Sequence, residues 1–130
     1  MSDATSRVLL VEDEFLLSDM IAEVLSAHGF EVHAVANAED ALLHLTCGAP
    51  CDILFTDINL PGGVDGAKLA ELARQLRPNL PVIYASGSIT KLDELASVPG
   101  STFVPKPYDP EKVCTMLQRS VAQQAAATSH

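Results

Sequence analysis

Residues 7–14 read RVLLVEDE. The apolar residues Val8 to Val11 follow one another without alternation, as a strand buried on both faces requires, and three acids stop the run abruptly at its carboxyl end. Two other segments repeat the pattern. DILFT at 52–56 runs into Asp57, and VIYAS at 82–86 ends on a hydroxyl followed by Gly87. EVHAV at 31–35 and STFV at 101–104 are weaker versions, the last closed by Lys106 and Pro107.

Between these runs the apolar spacing changes from continuous to three and four residues, the helical period. Leu16, Leu17, Met20, Ile21, Val24 and Leu25 predict one inward helix face, closed by Gly29. Asn37 caps a second helix carrying Ala38, Ala41, Leu42 and Leu45, which Gly48 and Pro50 stop. The turn-rich loop NLPGGVDG at 59–66 leads to a third, with Leu69, Leu72, Ala73 and Leu76 inward. Ile89 to Ser97 predicts a short helix broken by Pro99 and Gly100, and Pro110 opens a last one with Val113, Met116, Leu117 and Val121 inward. Five strand-helix units with short connections predict an α/β fold, a doubly wound parallel sheet with helices on both faces. The tail QQAAATSH is read as fraying from the last helix.

Composition narrows the function. A chain of 130 residues holds about one domain, so no second folded output domain is expected. Hydrophobic residues make up 48% and aromatics only 5%, without Trp, so Leu, Val, Ile and Ala must build the core. The net charge is −9, made of −11 over residues 1–65, where Arg7 is the only base, and +2 over residues 66–130. Such a surface repels phosphate backbones, which argues against direct nucleic-acid binding and favours a divalent cation or a basic partner. Uncharged runs fall well short of the ~18 residues of a membrane span, and acids interrupt the start where a signal peptide needs an apolar core. A cytoplasmic location is expected. Cys47, Cys51 and Cys114 are odd in number and read as reduced, mostly packed thiols.

Ligands of such sheets bind beyond the carboxyl ends of the strands. That edge receives Glu12 and Asp13, Asp57, Ser86 and Lys106, while the second strand brings nothing comparable. Carboxylates held together repel, and a hard divalent cation relieves them; Mg²⁺ suits oxygen ligands and keeps several waters. The expected ligands are Asp13, Asp57 and the backbone carbonyl of Asn59, with Glu12 acting through water. Taken alone, Glu12 to Glu14 are equally an acidic helix start favoured by the dipole, and Ser86 an ordinary turn residue. Together the set suits in-line attack of Asp57 on phosphorus to give an acyl phosphate. Lys106 and the metal would neutralise the transferring oxygens, and Ser86 with the N–H groups of Asn59 and Gly87 would donate to them. A zinc site from His33, His44, Cys47 and Cys51 is disfavoured, because the spacing fits no tight pattern and Gly48 and Pro50 interrupt it. His28 is read as a favourable charge at a helix end.

VLLVEDE, DINLPG, VIYAS and FVPKP, in this order, resemble the receiver domain of bacterial two-component response regulators. The resemblance covers residues 7 to about 121 and implies a single receiver domain over 1–130, with a core at about 7–121, a short tail at 122–130 and the flavodoxin-like strand order 2-1-3-4-5. It further implies that Asp57 accepts a phosphoryl group from a histidine kinase or histidine phosphotransfer protein, that Glu12 and Asp13 bind Mg²⁺, and that Ser86 and Lys106 contact the phosphoryl group. Lys106–Pro107 should be cis, and Phe103 should be an aromatic switch, here without the phenolic oxygen many members carry. Donor specificity is expected on the first helix and the loop after the fifth strand. The face made by the fourth helix, fifth strand and last helix, with Lys91, Asp93, Glu94, Lys112 and Arg119, is expected to take a second copy or a downstream protein. Such a domain modifies itself and turns over no external metabolite. Two departures stand out: the loop DINLPGGVDG is one residue longer than the commonest pattern, and Gly87 stands where many members have Ala. Asn59 and Ser88 occupy the positions that tune acyl-phosphate hydrolysis in the family. A phosphorylation-independent scaffold is the alternative. A phosphatase of the haloacid dehalogenase type is a weaker one, since it needs a second Asp where Asn59 stands.

Overall fold

The computed structural model of the chain describes residues 6–60, 62, 64–87 and 97–128, the last six as backbone. Five strands, β1 (Arg7–Val11), β2 (Glu31–Val35), β3 (Ile53–Asp57), β4 (Val82–Ser86) and β5 (Thr102–Pro105), form one parallel sheet in the order β2-β1-β3-β4-β5. The runs without alternation sit in its middle: every residue of β3 and β4 is buried, as are Val8 to Val11, whereas β2 at the edge is mostly exposed. Both faces are covered. Helices α2 (Ala38–Thr46) and α3 (Gly66–Leu76) close a core containing Leu9, Leu54, Leu69, Val82 and Tyr84. On the other face, α1 (Phe15–Ala27) and α4 (Pro110–Thr128) close one containing Leu10, Ile21, Phe55, Ile83 and Leu117.

Register is fixed at the amino edge of the sheet. The Asp52 N–H donates to the Arg7 carbonyl at 2.8 Å while the Arg7 N–H donates to Asp52 Oδ2 at 2.7 Å, and the Glu31 N–H donates to the Ser6 carbonyl at 2.9 Å. Asn37 caps α2 as expected, accepting from the Asp40 N–H at 2.8 Å, and Asp65 caps α3 by accepting from Lys68 N–H at 2.9 Å. Arg77 ties the two helices at their far ends, its guanidinium donating to the carbonyls of Leu45 and Ala49 at 3.1 and 2.6 Å.

Several expectations need correction. Leu16 and Met20 do not face inward: they are 84% and 47% exposed, and Phe15 beside them is 75% exposed. At about 100° per residue Leu16 and Met20 lie roughly 170° and 130° from the buried line through Ser18, Ile21 and Leu25, so the apolar set on α1 is wider than the face it buries. Leu76 is exposed because it is the last residue of α3, where the chain turns off at Arg77 and Pro78. His28 does stand at the end of α1, as expected, and it also reaches the start of α4, with Nε2 2.8 Å from Glu111 Oε1. The fraying tail is helical to Thr128, through Gln and Ala residues that carry high helix propensity. The helix expected over Ile89 to Ser97 lies, up to residue 96, outside the described residues.

Candidate functional site

The site grows from the pairing of β1 with β3. Val11 lies opposite Thr56, so the residues leaving the two strands, Glu12 and Asp57, emerge side by side. The Glu12 N–H extends the sheet by donating to the Val35 carbonyl at 3.0 Å, which holds its side chain over the edge. Glu12 and Asp57 are buried and Asp13 is exposed. One carboxylate oxygen from each of the three lies within 4.8 Å of the others, the only such acidic, His or Cys group among the described residues.

Lys106 reaches into this group from beyond β5. Its ammonium is 2.8 Å from Asp57 Oδ2 and 3.3 Å from Glu12 Oε1. The lysine follows a strand held to β4, its N–H donating to the Ser86 carbonyl at 2.7 Å, and the Lys106–Pro107 peptide is cis as expected. Partial burial pulls the Lys106 ammonium down, but the bond and charge of Asp57, with Glu12, outweigh it and hold it above the ordinary lysine range. Burial pushes the Glu12 carboxyl up, only partly opposed by the Glu14 N–H on Oε2 at 3.1 Å and by Lys106. Asp57 Oδ1 accepts the Asn59 N–H at 3.2 Å, so both of its oxygens are held. The Asn59 N–H, expected to serve a phosphoryl group, is thus bonded to Asp57, the expected acceptor.

On the other face of the sheet, Ser86 is fully buried at the end of β4, one residue beyond Ala85, the partner of Asp57. Phe103 lies opposite Tyr84 and stacks on it, the ring centroids 5.0 Å apart and 29° from parallel. Gly87 is sterically neutral, since a Cβ there would meet nothing within 4 Å.

Sequence reasoning missed three residues. Gly66 opens α3 against the backbone that follows Asp57, donating its N–H to the Ile58 carbonyl at 2.8 Å; a Cβ would collide with the Asp57 carbonyl oxygen. Its signal was the Asp65-Gly66 pair, a cap followed by the smallest residue. Tyr84, the largest fully buried side chain, accepts the Val98 N–H at 3.1 Å on its hydroxyl. A phenol in an otherwise aliphatic strand was its signal. Tyr108 packs edge-on to Phe55 at 5.8 Å, and burial, then the charges of Glu12, Asp57 and Glu14, push its phenol up. Nothing in the sequence marked it beyond its place two residues after Lys106.

The donors fit a hard cation. All are oxygens, two acids are buried with one face left to the exposed Asp13, and the lysine offsets only part of their charge. Both Glu12 oxygens are already engaged, by Lys106 and by the Glu14 N–H. The rejected zinc set stays apart: His33 and His44 stack on each other at 4.1 Å, Cys51 bonds the Ile53 carbonyl with its thiol pushed up to about 11 by burial, and Cys47 is exposed.

The family model described as the response regulator receiver domain matches residues 8–118. The chain belongs to this family. It is 29% identical to the alkaline phosphatase synthesis transcriptional regulatory protein SphR of Synechococcus elongatus, across 95% of this chain and 52% of that protein. A response regulator receiver protein from Sinorhizobium medicae shares the fold with a TM-score of 0.88 and 30% identity, over 95% of this chain and 99% of that one. The receiver domain of the hybrid histidine kinase CckA matches with a TM-score of 0.76 and 33% identity, over 89% and 99% of the two chains. The chain spans 24% to 52% of the length of three curated relatives it matches. It is therefore a phosphoacceptor receiver, built around an acidic cluster typical of Mg²⁺-binding members, and its chemistry is confined to its own phosphorylation and dephosphorylation. Among the described residues no helix is long and apolar enough to cross a membrane.

Proposed function

We propose that Asp57 is the acceptor and that a phosphohistidine of a histidine kinase or histidine phosphotransfer protein is the donor. The observation that carries this is the pairing of Asp57 Oδ2 with Lys106 inside the acidic cluster, which aims one carboxylate and holds a cation beside it. An Asp57 oxygen attacks phosphorus in line, the P–O bond forms as the P–N bond breaks, and the electron pair leaves with the imidazole nitrogen, which takes up a proton. Lys106 neutralises the oxygens in transit and Ser86 donates to one of them after transfer. Asp13, Asp57 and the Asn59 carbonyl, with Glu12 acting through water, would hold Mg²⁺, which when bound would further neutralise the same oxygens.

The rim supports a protein donor. Phe15, Leu16 and Met20 expose an apolar strip on α1, the helix that starts at the acids, and Tyr108 stands in the loop after β5. Lys112 and Arg119 are exposed on α4, which with β5 carries the described part of the proposed face for a second copy or a downstream protein. Lys91, Asp93 and Glu94 of that face lie outside the described residues. A cytoplasmic setting suits a donor that is a kinase, and no nucleic-acid contact is assigned to this domain.

Intact mass after incubation with Mg²⁺ and a small acyl-phosphate donor tests the assignment. One acid-labile phosphoryl group is expected, absent in Asp57→Asn, with Mg²⁺ affinity falling sharply in Asp13→Ala. A stable adduct on Ser86 or on a histidine overturns it.

A further inference from the structure

Phe103 cannot act alone. It sits opposite Tyr84 on neighbouring parallel strands, half-buried, with its ring stacked on the fully buried Tyr84 ring. Any further movement of Phe103 over β4 therefore runs into Tyr84. That phenol is anchored at its far end, where the hydroxyl accepts the Val98 N–H at 3.1 Å, and Val98 is itself buried in the same core cluster. Val98 begins the turn that leads into β5, its carbonyl accepting the Ser101 N–H at 3.2 Å. Tyr84 and Ser86 are two residues apart on one strand, so their side chains share a face. Tyr84 thus adjoins each part of the route: it shares a face with the hydroxyl expected to meet the phosphoryl group two residues on, its ring stacks on the aromatic expected to move, and its hydroxyl is bonded to the turn beyond.

We propose that Tyr84 is the positioning residue of the switch. Its ring sets how far Phe103 travels, and its hydroxyl converts that travel into release of the Val98 N–H and movement of the 97–101 turn. The phenolic oxygen that Phe103 lacks is supplied from the neighbouring strand, with a backbone amide as its partner. Because the ring and the bond share one side chain, Phe103 moving inward and Val98 letting go become a single event. This rests on the phosphoacceptor reading of Asp57 and adds to it a residue that touches neither the metal ligands nor the phosphoryl group.

Amide NMR and hydrogen exchange of the full chain, with and without a beryllofluoride phosphoryl mimic, test the proposal, intact mass after the acyl-phosphate donor being recorded in parallel. In the wild type, Val98 should be protected without the mimic and exchange about tenfold faster with it, as loss of one hydrogen bond implies. Tyr84→Phe keeps the ring and removes only the hydroxyl, so it should still take up one phosphoryl group. Its unmodified spectrum over residues 101–104 should already lie along the line from unmodified to modified wild type, with a smaller increment on adding the mimic. A purely structural ring would shift these amides in an unrelated direction and leave the increment intact. Unchanged Val98 exchange in the modified wild type overturns the proposal even if no variant folds, and so does a full, wild-type increment in Tyr84→Phe. Absence of phosphoryl uptake by the wild type overturns the acceptor assignment instead.

Discussion

On the face of the sheet covered by α1 and α4, Asp57 continues the row of Ile53 and Phe55 and sits among charged and polar groups: a lysine and an amide hold it, and two neighbouring acids repel it. On the face covered by α2 and α3, Ser86 continues the row of Val82 and Tyr84, and what surrounds it is packed aromatic and aliphatic surface. The two rows end within one residue of each other in register, since Asp57 pairs with Ala85. Charge is long-ranged and indifferent to small shifts, whereas close packing is short-ranged and yields in discrete steps. The first suits holding a phosphoryl group, and the second suits turning its arrival into a change of shape. Substitutions should therefore separate chemistry from readout, except where the two faces touch.

Gly66 is such a place, for it carries the start of α3 against the Asp57 backbone. Gly66→Ala should cost about 2 kcal/mol by overpacking and also slow phosphoryl uptake, because the shift falls on the acceptor's own backbone. Urea denaturation with a mass time course checks this; a stable, normally phosphorylated variant would show that the faces are independent even there. A smaller effect of opposite sign is expected at Glu12. Its folded carboxyl is harder to ionise than in the unfolded chain, so the folded state binds more protons from the ordinary value of 4.5 upward, and stability falls as pH rises through that window. Glu12→Gln should remove the fall and stabilise the protein at pH 7, while weakening Mg²⁺ binding. Thermal melts between pH 4 and 8, paired with metal titration, measure both. The smallest change in stability belongs to Ser86→Ala, under about 1 kcal/mol. It should complete phosphorylation of Asp57 yet reduce the response of amides 97–104 to roughly half or less. Equal responses in both proteins would place the relay elsewhere.

Much of this was legible in the sequence because buried parallel strands announce themselves. Apolar runs ending in Glu12, Asp57 and Ser86 gave the strands to within a residue and put the candidate site on one edge. What periodicity could not supply was which apolar residues stay outside. Leu16 and Met20 have the helical spacing of a core and stand on the far side of α1, because spacing defines an angle and burial depends on what lies opposite. Tyr84 was read as one more strand residue, since its importance comes from Phe103 and Val98, distant in sequence and brought alongside only by the order of the strands.

The reciprocal bonds between Arg7 and Asp52 lie at the opposite end of β1 and β3 from the acids, five residues or about 16 Å away. They nevertheless determine whether there is a site at all. Sliding β3 by one residue against β1 would turn Asp57 to the far side of the sheet and bring Thr56 beside Glu12. The spacing of the carboxylates is thus inherited from an alignment made where no chemistry occurs. Asp52 is bound to the fate of Asp57 without ever approaching it, as the far end of a clamp governs where its jaws meet.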